Sequence, residues 1–126
     1  MIPKFRAWIK EEKCFADYIE TIRFYAKEVD LCWGGICESD CFDFEGVIFT
    51  QSASLFDKNG KEIFEGDIVK MAKDVYSDPT YYEVIRHRGG AYRLESNQHG
   101  CELWLRHTNC EVIGNIYENP ELLEVE

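Results

Sequence analysis

The stretch Tyr81-Tyr82-Glu83-Val84-Ile85-Arg86-His87-Arg88-Gly89-Gly90-Ala91-Tyr92-Arg93-Leu94-Glu95, continued by Ser96-Asn97-Gln98-His99-Gly100-Cys101-Glu102-Leu103-Trp104-Leu105-Arg106, decides the fold. Runs rich in aromatic and β-branched residues, broken by Gly-Gly and then by Asn-Gln-His-Gly, read as strands joined by tight reversals. If Gly89-Gly90 is a two-residue turn, Arg88 pairs with Ala91, His87 with Tyr92, Arg86 with Arg93, and Ile85 with Leu94. If residues 97–100 close the next turn, Leu94 faces Leu103, Arg93 faces Trp104, and Tyr92 faces Leu105. Alternation then gathers Ile85, Tyr92, Leu94, Leu103 and Leu105 on one face, which reads as core. Arg86, Arg93, Trp104 and Arg106 fall on the other. No helix is expected within residues 81–106.

Outward from this stretch the chain remains strand-like. Gly46-Val47-Ile48-Phe49-Thr50 is rich in strand formers. Leu55-Phe56, Asp57-Lys58-Asn59-Gly60 and Glu62-Ile63-Phe64 read as a hairpin, because Asn-Gly adopts positive φ at little cost. Glu65-Gly66-Asp67 makes a second reversal into Ile68-Val69-Lys70-Met71. Near the start, Phe5-Arg6-Ala7-Trp8-Ile9 is a strand. Residues 14–30 are ambiguous: Phe15, Tyr18, Ile19, Ile22, Ala26 and Val29 follow helical spacing, whereas Ile22 with Phe24, and Val29 with Leu31 and Trp33, alternate. Two strands are favoured, since Val29-Asp30-Leu31-Cys32-Trp33 alternates cleanly. Residues 73–79 read as a loop, and Gly34-Gly35 and Glu38-Ser39-Asp40 as breaks. Residues 110–117 form a last strand. A short helix follows, with Asn119 as cap, Pro120 in the first position, Glu121 complementing the dipole, and Leu122 and Leu123 docking.

The fold class expected is mainly β (a β-rich α+β protein). Residues 1–50 form an N-terminal β layer and residues 51–126 a C-terminal SH3-like or open small barrel with a short C-terminal helix, the two making one structural unit.

Composition narrows the function classes. The chain has 126 residues, of which 45% are hydrophobic, enough to bury a core. Apolar runs are too short to span a membrane, and the opening Met1-Ile2-Pro3-Lys4-Phe5-Arg6 lacks the pattern of a signal peptide. A host-cell cytoplasmic location is expected, with the six cysteines reduced rather than paired. Acidic residues outnumber basic ones 24 to 14, a formal net charge of −10. That opposes general affinity for phosphate backbones and suits a basic protein partner.

Motifs for metal or catalysis are weak. Asp57-Lys58-Asn59-Gly60 lacks the third oxygen ligand and the later glutamate of a calcium loop, so it reads as a turn. Cys32, Cys37 and Cys41, with Cys101, His107, Cys110 and His99 downstream, lack the tight cysteine pairs that present zinc. No metal, cofactor or catalytic residue is assigned. The sharper feature is the basic-aromatic face, where Arg86 and Arg93 would oppose each other at a cost of up to about 1 kcal/mol. Trp104 would lie beside Arg93, close enough for guanidinium–indole stacking. Arg86, Arg88, Arg93, Trp104 and Arg106 therefore form the candidate binding face. The plainer alternative is a solvated face neutralised by Glu83, Glu95 or Glu102, with Trp104 shielded by the N-terminal segment.

Three blocks carry a family resemblance: Lys4-Phe5-Arg6-Ala7-Trp8, residues 51–69 (QSASLFDKNGKEIFEGDIV), and residues 111–123 (EVIGNIYENPELL). In this order, and over nearly the whole chain, they resemble the YopX family of phage and prophage proteins. One departure is Ala53-Ser54-Leu55, where members usually carry Thr-Gly-Leu ahead of the DKNG turn, so that serine stands in place of glycine. The resemblance implies a mainly β fold with a small barrel-like C-terminal part, and no catalytic residues. The expected function is a non-enzymatic accessory protein that binds a macromolecule. A host or phage protein, or a second copy of the chain, ranks first as partner. Nucleic acid bound through the Arg86/Arg93/Trp104 face ranks second and an uncharacterised enzyme third, with no membrane role.

Overall fold

The computed structural model describes residues 4–32, 40–72, 78–87, 90–96 and 100–123. Strands make up 57% of the structure, with one short α-helix and a curled half-barrel sheet, so the mainly β class holds. Among the described residues, no helix is long and apolar enough to cross a membrane. The chain divides into two compact units, Met1–Gln51 and Ser52–Glu126.

The first unit contains β1 (Phe5–Ile9), β2 (Cys14–Phe15), β3 (Tyr18–Arg23), β4 (Glu28–Cys32), β5 (Asp40–Asp43) and the start of β6 (Val47–Phe56). β1 lies between β2 and β6, and β4 lies between β3 and β5. Ala7, Ile9, Val29, Leu31 and Val47 form the core, each apolar side chain contributing roughly 1.5–3 kcal/mol where fully buried. Residues 18–32 are thus two strands, and their helical look has a local cause. Ile19 pairs with Leu31 and Ile22 with Val29, while a bulge shifts the register between Ile19 and Thr21. The extra residue turns a two-residue step into three, which imitates helical spacing.

The second unit continues β6 into β7 (Glu62–Phe64), β8 (Asp67–Met71), β9 (Thr80–Arg86), β10 (Tyr92–Glu95) and β11 (Gly100–Glu102), then α1 (Leu103–Arg106) and β12 (Glu111–Asn115). Short 3-10 turns occupy His107–Asn109 and Pro120–Leu123. The sheet order is β11-β10-β9-β8-β12, an open arrangement in which β11 and β12 are edges. Ile63, Val69, Tyr82, Val84, Leu94, Leu103 and Cys110 make the core. The Asn-Gly hairpin forms as expected, with Phe56 opposite Glu62 and Gly60 at φ 81°. Gly66 takes φ 89° in the next reversal; its N–H donates to Val84 O and its carbonyl accepts from Ile116 N–H. At the C-terminal end Leu122 N–H bonds Asn119 O, but the Asn119 side-chain oxygen accepts from Asn115 N–H at 3.3 Å instead of capping.

Ser54 sits where β6 bulges against β7, between the pairs Ser52–Phe64 and Phe56–Glu62. Its φ is 59°, in the left-handed region, which explains why glycine suits this position. The strain is tolerated because the Ser54 N–H donates to Ser52 Oγ at 3.0 Å, and that hydroxyl donates to Glu62 Oε2 at 2.5 Å. Ser54→Gly is expected to stay within about 0.5 kcal/mol of the parent, relief of strain offsetting lost chain stiffness. Ser54→Val should cost about 1–2 kcal/mol, since a β-branched side chain fits left-handed backbone poorly. Urea denaturation of the two variants tests the contrast, and equal stability would refute it.

The hairpin after β9 departs from the expected register by one residue. His87 and Ala91 close it, with His87 N–H donating to Ala91 O at 2.7 Å and Gly90 N–H to His87 O at 2.8 Å. Gly90 at φ 89° ends a loop one residue longer than the expected turn, the left-handed residue that a three-residue hairpin loop requires. Tyr92 therefore faces Arg86, Arg93 faces Ile85, and Leu94 faces Val84. The slip moves Ile85 out of the core and puts Tyr82 and Val84 in its place. The next pairing shifts too: Leu94 faces Cys101 and Arg93 faces Glu102. The chain then leaves the sheet, so residues 103–106 are helix where a strand was expected. Leu103 reaches the core as predicted, whereas Leu105 is exposed.

Candidate binding surface of the second unit

Arg86 and Arg93, the expected cross-strand pair of this face, are not brought together. Arg93 projects on one side of the sheet, opposite Ile85 and Glu102; Arg86 projects on the other, opposite Tyr92. Arg93 is also occupied. Its Nε donates to Glu95 Oε1 at 3.0 Å and its Nη1 to Glu102 Oε1, and the Glu95 bond, followed by these negative charges, pushes the guanidinium pKa above its ordinary value. Two of the carboxylates named above as neutralising partners thus hold this arginine. Arg88 lies outside the described residues. Arg106 is exposed at the end of α1.

Trp104 is the part of the face that stands clear. α1 turns Leu103 fully inward and leaves Trp104 at 62% and Leu105 at 57% exposure. Its continuation is tied back to β6, where His107 Nδ1 meets Phe56 O at 2.8 Å and the Phe56 ring is half exposed. A short helix is a weak element on its own, so its position depends on what anchors its two ends.

The downstream anchor is Asp57. Its Oδ1 accepts the N–H groups of Asn59 at 2.9 Å and Lys61 at 2.8 Å, and its Oδ2 accepts Val112 N–H at 2.8 Å. Lys58 N–H adds a bond to Cys110 O at 3.0 Å. The DKNG loop thus clamps the backbone just past the 3-10 turn, closing the segment that carries Trp104. Burial pushes the Asp57 carboxyl upward, but the three backbone donors and Lys61 outweigh it and hold it below its usual value. A turn reading of Asp57-Lys58-Asn59-Gly60 is correct for the loop and misses this long-range bond.

Burial, then the Asp57 charge, pushes the Cys110 thiol up to about 11, leaving it un-ionised at neutral pH. Cys14, Cys32, Cys41, Cys101 and Cys110 are free. Among the described residues, no three His, Cys, Asp or Glu side chains gather to hold a metal. Cys37 and His99 lie outside the described residues.

A family model described as YopX protein matches residues 4–124. The chain belongs to the YopX family. Its structure is similar to protein EF1440 from Enterococcus faecalis, at TM-score 0.65 and 29% identity, covering 98% of this chain and 99% of that one. It is also similar to protein yopX from Bacillus subtilis, at TM-score 0.65 and 23% identity, covering 97% and 96%. The second likeness concerns the fold alone. No curated protein matches the chain.

Sequence reading placed Phe24 on an alternating strand with Ile22 and passed over Tyr25; among the described residues these two are the most exposed large hydrophobics, at 76% and 89%. They follow β3 in the turn that leads to β4. The available signal was an aromatic pair between two alternating segments, a place where turn chemistry normally puts polar residues.

Proposed function

We propose that this YopX-family chain is a non-enzymatic phage or prophage accessory protein. It acts in the host cytoplasm by binding another protein, with Trp104 and Leu105 as apolar anchors. The observation that carries this reading is the exposure of Trp104 on a helix whose preceding residue, Leu103, is fully buried. Tryptophan and arginine, here Trp104 and Arg106 on the same short helix, are among the residue types most enriched at the hot spots of protein contacts. Nucleic acid is disfavoured by the net charge of −10, by the capture of Arg93 between Glu95 and Glu102, and by the placement of Arg86 on the opposite side of the sheet.

Affinity purification from infected cells, with co-purifying proteins and nucleic acid both identified, tests the reading. Trp104→Ala should abolish recovery of the specific partner, or dissociate a self-assembly in sizing experiments, with little dependence on salt. Oligonucleotide titration should give no binding even at low salt, where attraction is least screened. Steeply salt-dependent binding that Trp104→Ala weakens by roughly 1–3 kcal/mol would replace this reading with base stacking.

A further inference from the structure

The first unit presents a second surface of different chemistry. We propose that the outward face of the β3–β4–β5 sheet, together with the Phe24-Tyr25 tip, docks a Lys/Arg-rich segment of a partner protein. The inference rests on the protein-binding reading for the class of ligand, and on separate residues for the place.

The tip is an exposed aromatic pair held in position. Phe24 stands edge-on to Phe44 with ring centroids 6.1 Å apart, and Phe44 stands edge-on to Phe49 at 5.6 Å. Phe44 and Phe49 pack on the core of this unit, so Phe24 is fixed from below while most of its surface faces solvent. Isolated exposed apolar residues are ordinary, but two adjacent aromatics raised on a hairpin are a recognition feature.

The face beside the tip selects the occupant. With Val29 and Leu31 turned into the core, alternation sends Glu28 and Asp30 outward. Asp30 faces Cys41, and Glu28 directly faces Asp43. Glu20 lies on the same side, its Oε2 3.6 Å from Cys32 Sγ. Arg23 is the one basic residue of these three strands. It donates to Asp30 at 2.7 and 2.8 Å and reaches Glu28 at 3.4 Å. Among the described residues nothing pairs with Asp43. Arg23 offsets part of the charge of Glu28 and Asp30, but Glu28 still lies directly opposite Asp43, and like charges in that position repel. Guanidinium or ammonium groups supply further cations for this face, and another arginine of the same segment can meet the exposed rings of the tip at the end of the sheet. The acidic excess of the whole chain adds long-range attraction for such a segment.

The test uses the full chain and a labelled short peptide alternating Arg and Gly, titrated at low and moderate salt. Glu28→Gln combined with Asp43→Asn should weaken binding about fivefold, two exposed ion pairs being removed. Phe24→Ser combined with Tyr25→Ser should weaken it by a similar factor. Asp78→Asn combined with Glu121→Gln makes the same change of net charge on exposed residues of the second unit, and should leave binding within about twofold. Glu28→Gln gives up the exposed Arg23 ion pair while relieving repulsion with Asp43, so the melting temperature of that variant should change little, and binding lost at an unchanged melting temperature cannot be ascribed to unfolding. No binding at low salt, or an equal loss in the Asp78/Glu121 control, would overturn the proposal. A blank titration with a partner contact still dependent on Trp104 would remove this surface and leave the earlier reading standing. Peptide binding with a partner contact indifferent to Trp104 would do the reverse.

Discussion

Asp57→Ala is expected to destabilise the second unit by about 3–5 kcal/mol, a large share of the roughly 5–15 kcal/mol that holds a small domain together. The carboxylate is 6% exposed and takes three backbone N–H groups, from Asn59, Lys61 and Val112. Removing it strands three donors at once, each costing about 1–3 kcal/mol where water cannot replace the acceptor. Asp57→Asn should fall between, because its amide presents one donor where only acceptors fit. The effect depends on pH with a defined sign. Asp57 titrates below the ordinary range of an aspartate, so its stabilisation is complete above that range and fades as pH drops through the lower folded pKa. Denaturation at neutral pH and at successively lower pH should show the gap between parent and Asp57→Asn closing only in the acid range. A gap that persists unchanged after acid titration would show that the charge of Asp57 is not what matters.

Leu103→Ala and Trp104→Ala, one position apart, should differ sharply. Leu103 is fully buried in the core with Leu94 and Cys110, so truncation is expected to cost about 2–5 kcal/mol. Trp104 is 62% exposed, and its truncation should change stability by no more than about 0.5 kcal/mol. Had residues 103–105 continued the sheet, with Trp104 shielded on a second packed face, the tryptophan would have been the costlier loss. Chemical denaturation of both variants therefore reads out the helix at α1, and comparable losses would refute it. The same pair separates stability from binding, since only Trp104→Ala should lose a partner while remaining folded.

The candidate site was legible in part. Trp104 could be singled out because a large aromatic among arginines is unusual, but its company could not be. The doublets Tyr81-Tyr82 and Val84-Ile85 offer an apolar residue to either face of β9, so alternation cannot choose between two registers that differ by one residue. Gly89-Gly90 permits positive φ at either glycine, and Gly90 takes φ 89° with His87 and Ala91 as the closing pair. That single slip separates Arg86 from Arg93. The Asp57 bond to Val112 joins residues 55 apart in sequence, and no local pattern announces it.

By itself the sequence determined what short-range chemistry controls. Asn59-Gly60 and Gly66 set two reversals, Val29-Asp30-Leu31 set which side of β4 is buried, and the ordered blocks from Lys4 to Leu123 identified the family. These follow from backbone sterics and period-two alternation, which act within a few residues. Tertiary structure alone decided the register of β9 and β10, the departure of Leu103–Arg106 from the sheet, and the exposure of Trp104, Phe24 and Tyr25. Each depends on which of two neighbouring apolar side chains the rest of the chain has room to bury. Leu94 already has Cys101 opposite it, so Leu103 enters the core from a helix and Trp104 is left facing water.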